Sequence, residues 1–144
     1  MTHVLVPIDG SPPAWDALDH AIETFAGERI TVLHVVDPMA GLYADDEGSY
    51  YDPDAAERAR ERGEKLGEEA RDRLAEAGVL ETTTFESAVE RGRPARCINE
   101  YAAANDVDHV VIGSHGREGL SRVLLGSVSE TVARRATVPV TIVR

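Results

Sequence analysis

The chain is poor in several residue types at once. Its 144 residues hold one cysteine, Cys97, one lysine, Lys65, and an aromatic fraction of only 5%. A lone cysteine excludes a disulfide framework within the chain and suits a reducing compartment. Cys97 falls in an apolar helical pattern, which predicts a buried structural thiol rather than a reactive one. No segment approaches the roughly 20 apolar residues that a membrane span requires. The N-terminus, Met1 to Asp9, lacks the basic flank of a signal peptide, so the expected location is the cytoplasm. With few aromatics, the core must be built on Val, Ile, Leu and Ala. Apart from Lys65 the basic residues are all arginines, and the net charge is −11. That balance argues against nucleic-acid binding, which depends on neutralising phosphates with Lys and Arg. An acidic, lysine-poor surface is expected of a halophile, because self-repulsion is screened when the Debye length falls to about 3 Å near 1 M salt.

What is present is an alternation of short apolar runs with longer helical patterns. The length suits one domain, residues 1–144, with a real core. Strands are predicted at His3–Asp9, Arg29–Asp37, Leu80–Val89, His109–Ile112 and Val138–Val143. Helices are predicted from Ser11 to Phe25, Asp54 to Ala77, Pro94 to Ala104 and Val128 to Arg135. Ser11 or Asp9 can cap the first helix, and proline is tolerated in its first turn. Pro139 lacks an N–H, so the last strand should begin at, or lie on, a sheet edge. The alternation with β-branched strands predicts a parallel sheet with helices on both faces, an α/β three-layer sandwich. Ligands of such sheets bind beyond the carboxyl ends of the strands, where strand order reverses. Asp9, Asp37 and Gly113 fall at those ends. The stretch Met39–Pro53, with three of the four tyrosines and a cluster of acids, reads as a long mobile linker serving as a lid or partner contact.

The most specific motif is Gly113-Ser-His-Gly116, nine further residues, then Gly126-Ser127-Val128-Ser129. It sits between an apolar strand and a helix. Glycines let backbone approach a ligand that a Cβ would repel, and free N–H groups at a helix start bind anions. The pattern predicts a phosphate cradle of backbone and hydroxyls. There is no Walker pattern, no H-E-x-x-H, no C-x-x-C and no G-x-S-x-G, and no catalytic residue is assigned. An acidic protein holding polyphosphate needs charge compensation, for which Mg²⁺ bridging the phosphates is the expected source.

These residues resemble the universal stress protein family over essentially the whole chain. The resemblance rests on HVLVPIDGS at the start, VLHVVD in the middle, ERGRPARCINEYA, and GSHGREGLSRVLLGSVSETVARRATVPVTIVR at the end. It implies a Rossmann-like or flavodoxin-like fold with strand order 3-2-1-4-5. It also implies a homodimer paired through the last strand, Val138 to Val143. Because Gly113, Gly116, Gly126 and Ser127 are all present, the chain is similar to the ATP-binding branch of that family. Carried over by position, the backbone of Gly116, Gly126, Ser127 and Val128 would hold the phosphates, and the hydroxyls of Ser127 and Ser129 would add hydrogen bonds. Asp9 would face the ribose or a metal-bound water. Pro7, Ile8 and Val35 would shape the adenine pocket. Alternatives stand beside these roles. Asp9 can simply cap a helix, Ser129 can face solvent, and Arg117 either reaches a phosphate or is one more solvated charge. His34 and His115 read as satisfied polar groups at strand ends. The implied function is an ATP-binding regulatory protein of the stress response with an unidentified protein partner, and without nucleic acid or membrane. The alternatives are a nucleotide-independent dimeric interaction protein, a slow ATP hydrolase, or a protein that takes AMP or ADP instead of ATP.

Overall fold

The computed structural model describes residues 1–39, 42–115 and 126–144, with only the backbone of 43–45. Seven strands and four helices follow one another among these residues. Strand β1 is His3–Pro7, helix α1 Pro12–Phe25 and strand β2 Arg29–Val36. A hairpin of β3, Leu42–Asp45, and β4, Gly48–Tyr51, precedes helix α2, Pro53–Glu76. Strand β5, Thr84–Arg91, helix α3, Pro94–Ala104, strand β6, His109–Gly113, helix α4, Ser127–Arg135, and strand β7, Val140–Val143, complete the chain. Five strands form one parallel sheet in the order β5-β2-β1-β6-β7, and β3 and β4 pair only with each other. Counted along the chain without the hairpin, that order is 3-2-1-4-5. It reverses between β1 and β6.

Period-two alternation explains the three layers. Val4 and Val6 of β1 join Ile30 and Val32 of β2 on one face, against Ala17, Leu18 and Ala21 of α1 and Leu66, Ala70 and Leu74 of α2. The intervening Leu5 and Leu33 point the other way, onto Ile98 and Ala102 of α3 and Val132 of α4. Val4, Leu5 and Val6 are fully buried, each stabilising the fold by about 1.5–3 kcal/mol. β1 is apolar on both faces because both are covered, as parallel sheets require.

Three expectations change in detail. The strand read from Leu80 begins only at Thr84. Gly78 closes α2 in the left-handed region at φ 74°. Residues 80–83 then form a turn, with the N–H groups of Thr82 and Thr83 both donating to the Val79 carbonyl. The stretch Met39–Pro53 is not all linker. Residues 42–45 and 48–51 form an antiparallel hairpin in the register Leu42↔Tyr51 and Tyr43↔Tyr50, turned at Asp46-Glu47 with Gly48 at φ 128°. Cys97 is partly rather than fully buried. Burial still pushes its thiol above the usual cysteine value. By contrast, Pro139 does stand just before β7, at the sheet edge, and its carbonyl accepts from Val110 N–H at 3.0 Å. Among the described residues no helix is long and apolar enough to cross a membrane.

Candidate functional site

The strand-order reversal opens a cleft of about 510 Å³ above the carboxyl ends of β2, β1 and β6. That volume lies within the range of small-ligand pockets. Its β2 side is apolar. Leu33 and Val35 of β2, Pro7 and Ile8 at the end of β1, and Pro94 and Ile98 of α3 line it. Its β6 side is polar, bounded by Gly113, His115 and the start of α4 at Gly126, Ser127, Val128 and Ser129, with Asp9 and Ser11 between. Predicted residues distant in sequence therefore converge here: Pro7, Ile8, Asp9, Val35 and Gly113 meet the residues from Gly126 to Ser129. Gly116 and Arg117 lie outside the described residues.

Helix α4 starts without a side-chain cap. Its N-cap, Gly126, is extended, at φ −69° and ψ 159°. The Gly126 N–H donates to the Ser114 carbonyl at 2.6 Å, and the Gly126 carbonyl accepts from Glu130 N–H at 3.0 Å. Helix geometry leaves the amides of Ser127, Val128 and Ser129 without intrahelical acceptors, and all three residues line the cleft. With the helix dipole behind them, these donors suit an anionic oxygen.

Two serines divide the work. Ser127 is exposed at the helix start, where its hydroxyl is accessible. Ser129 is buried, and its hydroxyl donates to the Ser114 carbonyl at 2.6 Å, with the Gly126 carbonyl at 3.1 Å. Its one proton ties α4 to the end of β6, so Ser129 meets the cleft through its amide rather than as a hydroxyl donor or a solvent-facing group.

The glycines have separate reasons. A Cβ on Gly113 would stand 2.7 Å from the backbone carbon and oxygen of Pro13, so Gly113 is needed for close packing of α1 on β6. A Cβ on Gly126 would stand 3.0 Å from the His115 Cα. There the helix start is drawn against the polar loop after β6.

Neither Ser11 nor Asp9 caps α1, which has no side-chain cap hydrogen bond; Asp9 instead holds the turn just before it. Its Oδ1 accepts from the Ser11 N–H at 2.9 Å and from the Ser11 hydroxyl at 2.5 Å, which organises the start of α1. Its carboxylate also lines the cleft. No cluster of three or more His, Cys, Asp or Glu able to hold a metal occurs among the described residues. One carboxylate still fits Mg²⁺, which takes one or two carboxylates together with substrate phosphates. Asp9 is the residue that would hold it. His34 lies outside the cleft. Its Nδ1–H donates to the Ile8 carbonyl at 2.9 Å and its ring packs on Gly63 of α2, so it is a satisfied strand-end group.

Sequence reasoning missed Ser11, Pro94 and Ile98 as cleft-lining residues and Ser114 as the buried tie to α4. Pro94 carried a usable signal: Gly92-Arg93-Pro94 marks a helix start directly after a strand, at the same end of the sheet. Ser114 carried none, since its importance comes from contacts across 15 residues to Ser129.

The profile of the universal stress protein family matches residues 1–144. Universal stress protein YxiE of Bacillus subtilis is 33% identical over 148 aligned residues, covering 98% of this chain and 97% of YxiE. Among solved structures, universal stress protein UspA of Lactobacillus plantarum superposes with a TM-score of 0.72 at 26% identity, over 99% of this chain and 97% of that one. A crystal structure of a universal stress protein in complex with cAMP gives a TM-score of 0.70 at 27% identity, over 99% of this chain and 96% of that one.

Proposed function

The chain belongs to the universal stress protein family, and from that premise we propose that it is a regulatory protein that binds ATP in the cleft above β1 and β6. The observation that carries this reading is the pairing, in one cleft, of an apolar wall with three amides at the start of α4 that have no intrahelical acceptor. The Leu33, Val35 and Ile8 side suits an adenine ring, and the Ser127 to Val128 side suits its phosphates. Asp9 stands between, where a ribose hydroxyl or a metal-bound water would lie. Mg²⁺ supplies the positive charge that the described lining lacks, and Asp9 would be its protein contact. The cAMP complex of a relative supports an adenine nucleotide as the ligand class.

In this reading the protein acts by nucleotide-dependent association rather than by turnover. The cleft sets no general base beside a cationic clamp among the described residues, as efficient phosphoryl transfer requires. Strand β7 has one edge unpaired among the described residues, and pairing that edge with a second copy gives a homodimer. The protein works in the cytoplasm.

The test is direct. Protein purified in high salt is denatured and any released nucleotide identified; ATP, ADP, AMP and cAMP are then titrated with and without Mg²⁺ by calorimetry. Co-purified ATP, or ATP binding tighter than the other three, supports the reading. Absence of binding by a folded sample overturns it and leaves a nucleotide-independent interaction protein. Light scattering after size exclusion tests the dimer.

A further inference from the structure

Ser114, the residue after β6, is 2% exposed and its backbone is fully engaged. Its N–H donates to the Val143 carbonyl at 2.8 Å, and its carbonyl accepts from Gly126 N–H and from the Ser129 hydroxyl, both at 2.6 Å. Its own hydroxyl lies 3.0 Å from His115 Nδ1 and has no other hydrogen-bond partner among the described residues. The two arrangements of this pair are not equivalent. If Nδ1 carried the ring proton it would donate to Ser114 Oγ, and the buried hydroxyl hydrogen would have no acceptor among the described residues. If the hydroxyl donates to Nδ1, every buried donor is satisfied, as folded proteins strongly prefer. A neutral imidazole accepting at Nδ1 carries its proton at Nε2.

His115 is partly buried and lines the cleft. Its Nε2 has no hydrogen-bond partner among the described residues. Gly126 brings the start of α4 directly against the His115 backbone.

We propose that Ser114 locks His115 in the Nε2–H tautomer, making His115 a side-chain donor to the phosphoryl oxygen that the α4 amides hold. The identity of that oxyanion rests on the nucleotide reading above; the tautomer does not. The donor works without protonation of the ring. Because its Nε2 lone pair is replaced by a hydrogen, it cannot ligate a cation there. Anion contact falls to His115 and α4, and cation contact to Asp9.

Long-range ¹H–¹⁵N correlation spectra of the labelled full chain at alkaline pH read the tautomer, with the His115 signal assigned from its loss in His115→Gln. The same proteins are titrated with ATP, inorganic tripolyphosphate and adenosine. The expected spectrum has Nε2 protonated in the wild type and a tautomer mixture in Ser114→Ala. His115→Asn, which keeps a group only near Nδ1, should weaken ATP and tripolyphosphate by about tenfold. His115→Gln, which returns an N–H near Nε2, should recover most of that loss. Adenosine should respond far less to either change. A protonated Nδ1 in the wild type, or undiminished ATP and tripolyphosphate binding by His115→Asn, overturns the proposal. Failure of the wild type to bind ATP at all overturns the nucleotide reading, while an Nε2–H signal in that same sample still upholds the tautomer lock.

Discussion

Helices α1 and α4 both begin at the cleft, one after β1 and the other just across it beside the end of β6, yet they offer it opposite chemistry. At α1 the first two helical residues are Pro12 and Pro13, neither of which has an N–H. The carboxylate of Asp9 already takes the Ser11 amide and hydroxyl, so negative charge sits on the helix dipole from within the chain. At α4 the first residues are Ser127, Val128 and Ser129, each with an amide; among the described residues neither helix has a side-chain cap hydrogen bond. The acid in that first turn, Glu130, is exposed and pairs with Arg134 along the helix instead. A helix start is an anion site only when its own sequence leaves its donors unmet. At α1 two prolines remove donors and an acid stands beside the start, whereas at α4 the first amides remain, as an anion-binding helix start would need.

The comparison can be broken most severely at α4. Gly126→Val sets a branched side chain against the His115 backbone and pushes the helix start out of line with the cleft. ATP affinity should fall by about 100-fold or more, the loss of several charge-assisted hydrogen bonds at once, while circular dichroism shows a retained fold. Unchanged calorimetric affinity would remove α4 from the cradle. Gly113→Val should act on the other helix. Its Cβ overlaps the Pro13 backbone, so α1 must shift, with an expected loss of about 3 kcal/mol in urea denaturation. A midpoint equal to that of the wild type would refute the packing role given to Gly113.

Asp9→Asn sharpens the contrast with a smaller effect. It removes the charge at the start of α1 while keeping an acceptor for Ser11, and should cost about 1 kcal/mol of stability. Under the nucleotide reading it should also make ATP binding less dependent on Mg²⁺, which titration with and without the metal measures.

The smallest effect belongs at the far end of β6. His109 packs against Phe25, with ring centroids 5.3 Å apart, and its Nε2 lies 2.7 Å from Thr141 Oγ1. Burial first, and the neighbouring His20 second, hold its imidazolium below the usual histidine value of 6.5. The folded state therefore binds fewer protons than the unfolded chain just below pH 6.5. Its contribution is fully present above about pH 6.5 and is lost as pH falls through the lowered folded value, a change under about 1 kcal/mol. Urea midpoints at pH 5.5 and 7.5 should diverge less in His109→Gln than in the wild type, with nucleotide affinity unaffected.

The positions of the five sheet strands and four helices were legible because their signals are local. The apolar runs in His3–Pro7 and Arg29–Val36, prolines at helix starts and Gly78 at a helix end act within a few residues. The hairpin within residues 42–51 was not legible. Its strands pair only with each other, and its described side chains face solvent, so no buried face imprints a period on the sequence. The candidate site was partly legible, through the glycine pattern and the strand ends.

By itself, then, the sequence determined the βα alternation, the aliphatic two-faced core and the neighbourhood of Asp9, Val35 and Gly126, because periodicity and backbone-specific residues act over short range. The tertiary structure alone decided what each of those residues does. Gly113 became a packing residue only because Pro13 comes within reach. Ser129 became a tie rather than a ligand donor only because the Ser114 carbonyl stands 2.6 Å away. Hydrogen-bond satisfaction is a property of neighbours in space, and a hydroxyl has one proton to give, so its role is fixed only when the fold has chosen its acceptor.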